Sequence, residues 1–536
     1  PLPEPDRGIP EGPERTADVR HRHDKEKAHR PMRAPARTAS FPPPVGGWDT
    51  RSALADMPAE NAAILDNWFP STDRVSVRKG YTSHATGMSG GVFSLIEYVP
   101  TSGVGELFAG NGTSLFDVSN AGAVGSAVVT GLSNVKLQST QISTAGGHFV
   151  LAVNGQDTPL TYNGSTWSTA SISGPTAANL IWTNNHQRRL WFGEKDSLSA
   201  WYLAVNSISG TAAEFPLGAV SALGGHLVAM GTWSVDAGDG QDDVAVFLTS
   251  EGEAIVYQGT DPNSASTWSL IGVFRIGKPI GRRCMIKAGA DLIMVTQDGF
   301  VSASQILLAD RSQADAVSIS QQINKAVNDA VQDNASLFGW QPFIYPKGAM
   351  LLFNVPESTS VASQFAFNTI TRSPCRFTGV NAACWGLMND EAYFGGMTDG
   401  VVYKFDSGNS DNGTAIEADA LQAFNHFRSP GTNKRFTLVE PIFQSNGSPS
   451  VAIDLNLDYD IPSPTGVAAS YPETGGLWGI SKWGIGLWGS ASQTYRGWRG
   501  IRGVGRAASI RVRISTSINE PSWLATNWLY VPGGPL

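Results

Sequence analysis

Several stretches of this chain place reactive residue types at spacings that known chemistry uses. Gly87-Met88-Ser89-Gly90-Gly91, with His84 close by, has the Gly-x-Ser-x-Gly form of a nucleophile elbow. An elbow exposes its Ser between a strand and a helix. Here the following residues, 92–99, alternate as a strand does, so the context argues against an acyl-transfer nucleophile. Gly272-Val273-Phe274-Arg275-Ile276-Gly277-Lys278 has phosphate-loop spacing, but Pro279 stands where a magnesium-binding hydroxyl belongs and no helix pattern follows. Gly503-Val504-Gly505-Arg506-Ala507-Ala508 mimics a dinucleotide fingerprint, yet it runs into an alternating strand. Asp236, Asp239, Asp242 and Asp243 crowd a Gly-containing loop without the alternation of a calcium loop, and a solvated turn explains them.

Two further groups are charged rather than catalytic in pattern. Asp454, Asp458 and Asp460 share one strand face, where residues two apart lie about 7 Å from each other, a separation glycosidase carboxylates use. Nothing around them separates their pKa values, and Arg511 and Arg513 offer cross-strand counterions. Arg496, Arg499, Arg502, Arg506, Arg511 and Arg513, with Trp498 among them, form the densest basic run. Arg forks bind phosphate, and Arg and Trp also favour subunit interfaces, so DNA contact and subunit pairing both stay open. The three cysteines (Cys284, Cys375, Cys384) make neither a disulfide framework nor a zinc spacing, and none of the eight His residues forms His-Glu-x-x-His. No catalytic residue, cofactor or metal is expected.

The elements that must carry these residues are strands. Only 16% of the 536 residues are charged, and 59 are Gly, set among short apolar runs, a composition of turn-rich all-β proteins. No apolar run reaches the ~18 residues of a membrane-spanning helix, and residues 1–45 lack a secretory signal's apolar core. That opening segment carries nine Lys/Arg against seven Asp/Glu, so the net −8 of the chain leaves −10 for the remainder. An acidic body opposes tight duplex binding, yet a conduit wall that repels phosphate lets DNA slide.

Residues 1–45 read as a Pro-rich charged arm, either a disordered tail or an arm that orders on a partner. Residues 46–90 read as leader strands joining a platform or a first blade. From 91 to 408, compact apolar runs recur at 105–109, 148–153, 190–193, 226–230, 291–295, 349–355 and 392–395. Asn111-Gly112, Asn154-Gly155, Asn163-Gly164, Asp298-Gly299 and Asp399-Gly400 punctuate them, pairs suited to type I′ hairpin turns. A period of about 40–50 residues predicts a β-propeller of six or seven degenerate blades. Ile319, Ile323, Val327 and Val331 recur every fourth residue, predicting a helical insertion near 310–338. Residues 409–536 hold six of the 16 Trp, including Trp478, Trp483 and Trp488 in a Trp-Gly repeat of five, read as a loop anchored by its indoles. Alternation over 451–461 and 509–515 predicts half-buried strands of a β-sandwich.

Residues 61–81 read Asn-Ala-Ala-Ile-Leu-Asp-Asn-Trp-Phe-Pro, a polar turn, then Val-Ser-Val-Arg-Lys-Gly-Tyr, after the leader Phe41-Pro42-Pro43-Pro44-Val45-Gly46-Gly47. With the strand-rich middle and the Trp-rich end closing on Val531-Pro532-Gly533-Gly534-Pro535-Leu536, this order resembles the tail nozzle (tail tubular, DNA-stabilisation) proteins of short-tailed phages. The resemblance implies a structural, non-enzymatic virion protein assembled in the host cytoplasm. It implies a homo-hexameric ring below the portal's adaptor ring, contacting tail fibre or plug proteins and passing double-stranded DNA without sequence specificity. The Trp and Arg residues named above become candidate subunit-interface or DNA-facing positions. The chain is short for that group. A carbohydrate-binding or carbohydrate-hydrolysing propeller is the alternative reading, and a protein-binding scaffold propeller a third.

Overall fold

The computed structural model describes residues 35–236, 241–306, 318–471 and 492–535. Residues 36–536 form one compact unit, and its architecture is a β-propeller fused to a two-sheet platform.

Five antiparallel sheets stand apart as blades. Their first strands are Val92–Tyr98, Gln138–Thr144, Leu180–His186, Leu227–Asp236 and Met285–Ala288. Two more meanders, of four and three strands, have the same order but continue by hydrogen bonds into the platform: 341–377, opened by Gln341–Tyr345, and 382–405, opened by Ala382–Met388. Each first strand packs against the next around the ring, and Ala382–Met388 packs back on Val92–Tyr98, which closes seven blades. The outer strand of blade 7 is Tyr81–Thr86, contributed from before blade 1 and paired with Val402–Phe405. Sequence-distant strands thus seal the ring.

The apolar runs seen in the sequence are mostly second strands. Glu106–Asn111, Asp291–Thr296 and Met350–Pro356 are buried along nearly their whole length. A second strand has a neighbouring blade on each face, so both faces must be apolar. The spacing of blade starts lengthens around blade 5, where helical segments intervene. Ile323, Val327 and Val331 are buried and Ile319 half-buried, so the expected stripe packs inward. The helix Asn324–Asn334 lies against Gly299–Ser302 of blade 5 and Met350–Pro356 of blade 6. Trp340 Nε1 donates to the Asn334 carbonyl at 2.9 Å and fixes its end.

Strands from the first and last parts of the described unit build the platform. One sheet combines Trp68–Pro70, Val75–Val77, Thr432–Ser445 and Ser522–Pro535, flanked by Gln493–Tyr495 and Arg499–Gly505. The other combines Asn61–Asp66, Thr414–Gln422, Ala508–Thr516 and Ser450–Leu457. Phe436, Phe443, Trp523, Trp528 and Tyr530 of the first sheet and Ile510, Val512 and Ile514 of the second share one core cluster with blades 5 to 7.

Three expectations are corrected. Residues 36–45 belong to the compact unit: Arg37–Phe41 zips antiparallel onto Ser522–Pro535, and Phe41 meets Phe427 edge-on at 5.2 Å. The alternating strand expected over 451–461 stops at Leu457, because Asp458 and Tyr459 take positive φ (48° and 69°) and turn the chain. Ile461, beyond that turn, is 38% exposed. Finally, none of the five Asn-Gly and Asp-Gly pairs expected as type I′ turns has both residues at positive φ; only the Gly does, as at Gly112 (60°) between paired Asn111 and Ser114. Among the described residues, the two-residue hairpin turns with both central residues at positive φ are Gln187-Arg188 (50°, 58°) and Asn389-Asp390 (53°, 61°), which contain no Gly, and Asn412-Gly413 (48°, 92°), an Asn-Gly pair outside the five expected. Side-chain bonds offset that strain: Arg188 Nε donates to Asn206 Oδ1 at 3.1 Å, and Asn389 Oδ1 accepts from the Gly105 N–H at 2.8 Å.

Candidate functional site

The basic run divides into internal and surface members. Arg511 forks onto Asp419 (Nε–Oδ1 2.9 Å, Nη2–Oδ2 2.5 Å), and the bond raises the guanidinium pKa further. Arg513 reaches Asp454 Oδ2 at 3.3 Å and the Gly466 carbonyl at 3.0 Å. Asp454 sits opposite Arg511 in the ladder, so the ion pair is diagonal. Arg499 lies over the Tyr471 ring at 4.5 Å and donates to the Val451 and Ala469 carbonyls. These three Arg residues are spent on the platform's own sheets.

Arg496, Arg502 and Arg506 are exposed, as are Trp498 (46%) and Val504 (61%). Arg502 and Val504 lie on Arg499–Gly505, which pairs with Thr432–Ser445 on one side and has no ladder partner on the other among the described residues. An unpaired edge carrying Arg is guarded against random strand addition while staying open to a specific partner. Trp478, Trp483 and Trp488 lie outside the described residues.

The catalytic-looking motifs have structural contexts. His84 Nε2 bonds the Val118 carbonyl at 2.9 Å and its ring meets Tyr393 at 4.7 Å. The residues after Gly91 form the first strand of blade 1, not a helix. Residues 272–275 end a strand of blade 4, and Lys278 pairs with Glu251 at 2.7 Å. Residues 503–508 join two platform strands. Asp458 Oδ1 accepts the N–H groups of Arg506 and Ala507, and Asp454 Oδ1 those of Thr465 and Gly466. All three thiols are buried, and burial pushes Cys284 up to about 12 and Cys384 to about 11. Among the described residues no group of three or more His, Cys, Asp or Glu could hold a metal ion.

The residues 61–81 occupy the seam between platform and propeller. Asn61–Asp66 pairs with Thr414–Gln422 of the platform and, through Asp66, with Arg376 of blade 6; Arg376 also salt-bridges Asp66 at 2.6 Å. Arg78, with a fully buried side chain, bonds both Asp411 oxygens (2.7 and 2.6 Å), Asn67 Oδ1 (2.8 Å) and the Thr378 carbonyl (2.8 Å). Asn67, at φ 59°, donates to Thr378 Oγ1 and the Glu417 carbonyl. A buried ion pair is tolerable when every lone pair and proton has a partner, and here one guanidinium ties platform and blades together. Nothing in the Val-Ser-Val-Arg-Lys-Gly string identifies Arg78 as buried.

Two cavities open along the propeller's axis. One, of about 1010 Å³, is lined by strand ends of blades 1, 2, 3 and 7, including Glu97, Gln141, His148 and Arg188. Burial, with the like charge of Asp390, pushes Glu97 up to about 7. The other, of about 450 Å³, is lined by Lys136, Lys195, Arg282, Arg283 and Phe338. The only sequence signal for it is the Arg282-Arg283 pair before a strand.

No protein-family model matches the sequence, and no curated protein matches it. Solved structures do, as propellers. The BBS1N chain from its complex with ARL6DN is 8% identical, with 62% of this chain and 99% of that chain covered and a TM-score of 0.42. The β-propeller domain of Cps50 (Swd1) from Myceliophteria thermophila is 12% identical, covering 61% and 99%, with a TM-score of 0.40. An exo-β-1,3-galactanase from Phanerochaete chrysosporium with galactose is 11% identical, covering 73% and 95%, with a TM-score of 0.27. These likenesses concern fold alone.

Proposed function

We propose that this chain is a structural subunit of a short-tailed phage tail, a nozzle-type ring former through which genomic DNA is retained and then ejected. The observation that carries the reading is the position of residues 61–81. The segment on which the nozzle resemblance rests is the one that fastens platform to propeller through Arg78, Asp411 and Arg376. A wall segment under load needs its two parts to move as one, and this seam supplies that. The exposed edge with Arg496, Trp498, Arg502, Val504 and Arg506 is the surface offered to the neighbouring copy, since head-to-tail contacts between unlike faces close into rings. A hexamer attached to an adaptor ring and to fibre or plug proteins follows from the resemblance. The net −10 of residues 46–536 suits a bore that DNA crosses without sticking.

The carbohydrate-hydrolysing alternative has less support. Hydrolysis of a glycosidic bond uses a carboxyl pair, and the larger axial cavity has Glu97 as its single carboxylate and no Trp, Tyr or Phe in its lining.

Native mass measurement of the full chain, alone and with its particle, tests the proposal. A closed ring of one stoichiometry is expected. A monomer in both settings, together with release of reducing sugars from a glycan, overturns it in favour of the alternative.

A further inference from the structure

The 450 Å³ cavity is built where the chain enters the blades. Lys136 precedes the first strand of blade 2, Arg282 and Arg283 that of blade 5, and Phe338 that of blade 6. Arg283 crosses the axis: its Nη2 donates to the Phe93 carbonyl (2.7 Å), Ser94 Oγ (3.1 Å) and the Leu137 carbonyl (3.0 Å). It therefore joins blade 5 to blades 1 and 2 with neutral acceptors only. The Phe338 ring lies under two cations, Lys136 Nζ at 4.5 Å and the Arg283 guanidinium at 5.1 Å. Lys195 and Arg282 stand exposed at the rim.

None of these four cations has a carboxylate within 4 Å among the described residues, although nine other ion pairs occur. The lining itself contains no Asp or Glu. Asp196 acts on Arg282 from outside the cavity, and Asp157, which could face it, is engaged by Ser133 and Asn154. Arg283, the more enclosed of the two guanidinium groups, has its pKa lowered by burial. Gly155 makes room for this arrangement: a Cβ there would stand 3.2 Å from Arg282 Nη1 and 2.8 Å from Ile181.

We infer that this cavity binds a small anion carrying two or more phosphate groups, one at the throat beside Arg283 and Lys136 and one at the rim beside Arg282 and Lys195. Arg forks and Lys point charges are the donors phosphate groups select, and the volume suits a small ligand. The Arg283 crossing closes the throat to a duplex. The inference stands independently of the nozzle reading.

Titration calorimetry of the full chain with tripolyphosphate, in low salt, tests it. Saturable one-site binding is expected, weakened about tenfold or more in the Lys195→Gln, Arg282→Gln double variant, with an unchanged melting midpoint because both side chains are exposed. Citrate and a short DNA duplex are the comparison ligands. No saturable binding, or equal affinity in the double variant, overturns the site. Citrate binding as tightly as tripolyphosphate overturns the phosphate assignment, and duplex binding that the same substitutions abolish overturns the small-ligand one.

Discussion

At the scale of single residues, the seam depends on the buried Arg78 guanidinium keeping its partners. Asp411 supplies two of the bonds that hold Arg78, so Asp411→Ala leaves a guanidinium buried without its counterion. The expected loss is about 3–5 kcal/mol of unfolding free energy, read from urea denaturation; a change below about 1 kcal/mol would contradict the seam's importance. Glu97 and His186 make a second, pH-dependent case. Glu97 titrates near 7 in the fold against 4.5 unperturbed, so the folded state holds the extra proton and stability falls as pH rises through that window. Burial pushes His186 down to about 4 from 6.5, so the unfolded state holds the extra proton and stability rises over that range. The two slopes oppose each other between about pH 4.5 and 6.5. Glu97→Gln removes the falling one, and the urea midpoint is expected to climb with pH more steeply than in the unaltered protein; an identical slope would refute this. Among the charged pairs, that of Arg513 with Asp454 was legible from alternation, whereas Arg511 pairs with Asp419 of Thr414–Gln422 and not with the acidic strand expected. Arg78 was not legible, because its partner lies 333 positions away.

At the scale of elements, strands and their grouping into blades were readable, since a strand squeezed between two blades must be apolar on both faces. The outer strand of the last blade was not, because Tyr81-Thr82-Ser83-His84-Ala85-Thr86 is polar and borrowed from the far end of the ring. Nor were the turns at Gln187-Arg188 and Asn389-Asp390, whose positive φ rests on contacts with Asn206 and Gly105 that no local signature encodes. The seam between blades 7 and 1 is set by close approach. A Cβ at Gly395 would stand 2.6 Å from the Val92 carbonyl oxygen and 2.7 Å from Val92 Cβ. Gly395→Val is therefore expected to destabilise by about 1–3 kcal/mol despite valine's preference for strands. Faster hydrogen exchange in Val92–Tyr98 and Ala382–Met388, with distant blades unaffected, would locate the damage; equal protection everywhere would argue against a close-packed seam.

At the scale of the whole molecule, strands from 37–77 and from 414–535 meet in one platform, and the propeller hangs from it through blades 6 and 7. The sequence separated a strand-rich middle from a Trp-rich end, but it assigned 36–45 to the arm, since Ala39 and Phe41 are too few to mark a strand by composition. The outward edge of the platform leaves Arg502 and Arg506 exposed, while Arg499, Arg511 and Arg513 are consumed inside. Arg502→Glu with Arg506→Glu is expected to leave the melting midpoint nearly unchanged, as exposed substitutions do, and to abolish assembly in sedimentation; assembly at normal yield would remove this edge from the interface. We propose that rigid two-part subunits close into a wall around a duplex-wide bore. Electron micrographs of the assembled protein, classified end-on, address it directly: closed rings with an open axial hole contradict nothing here and are the predicted result, whereas isolated protomers or open chains in every preparation would contradict the account.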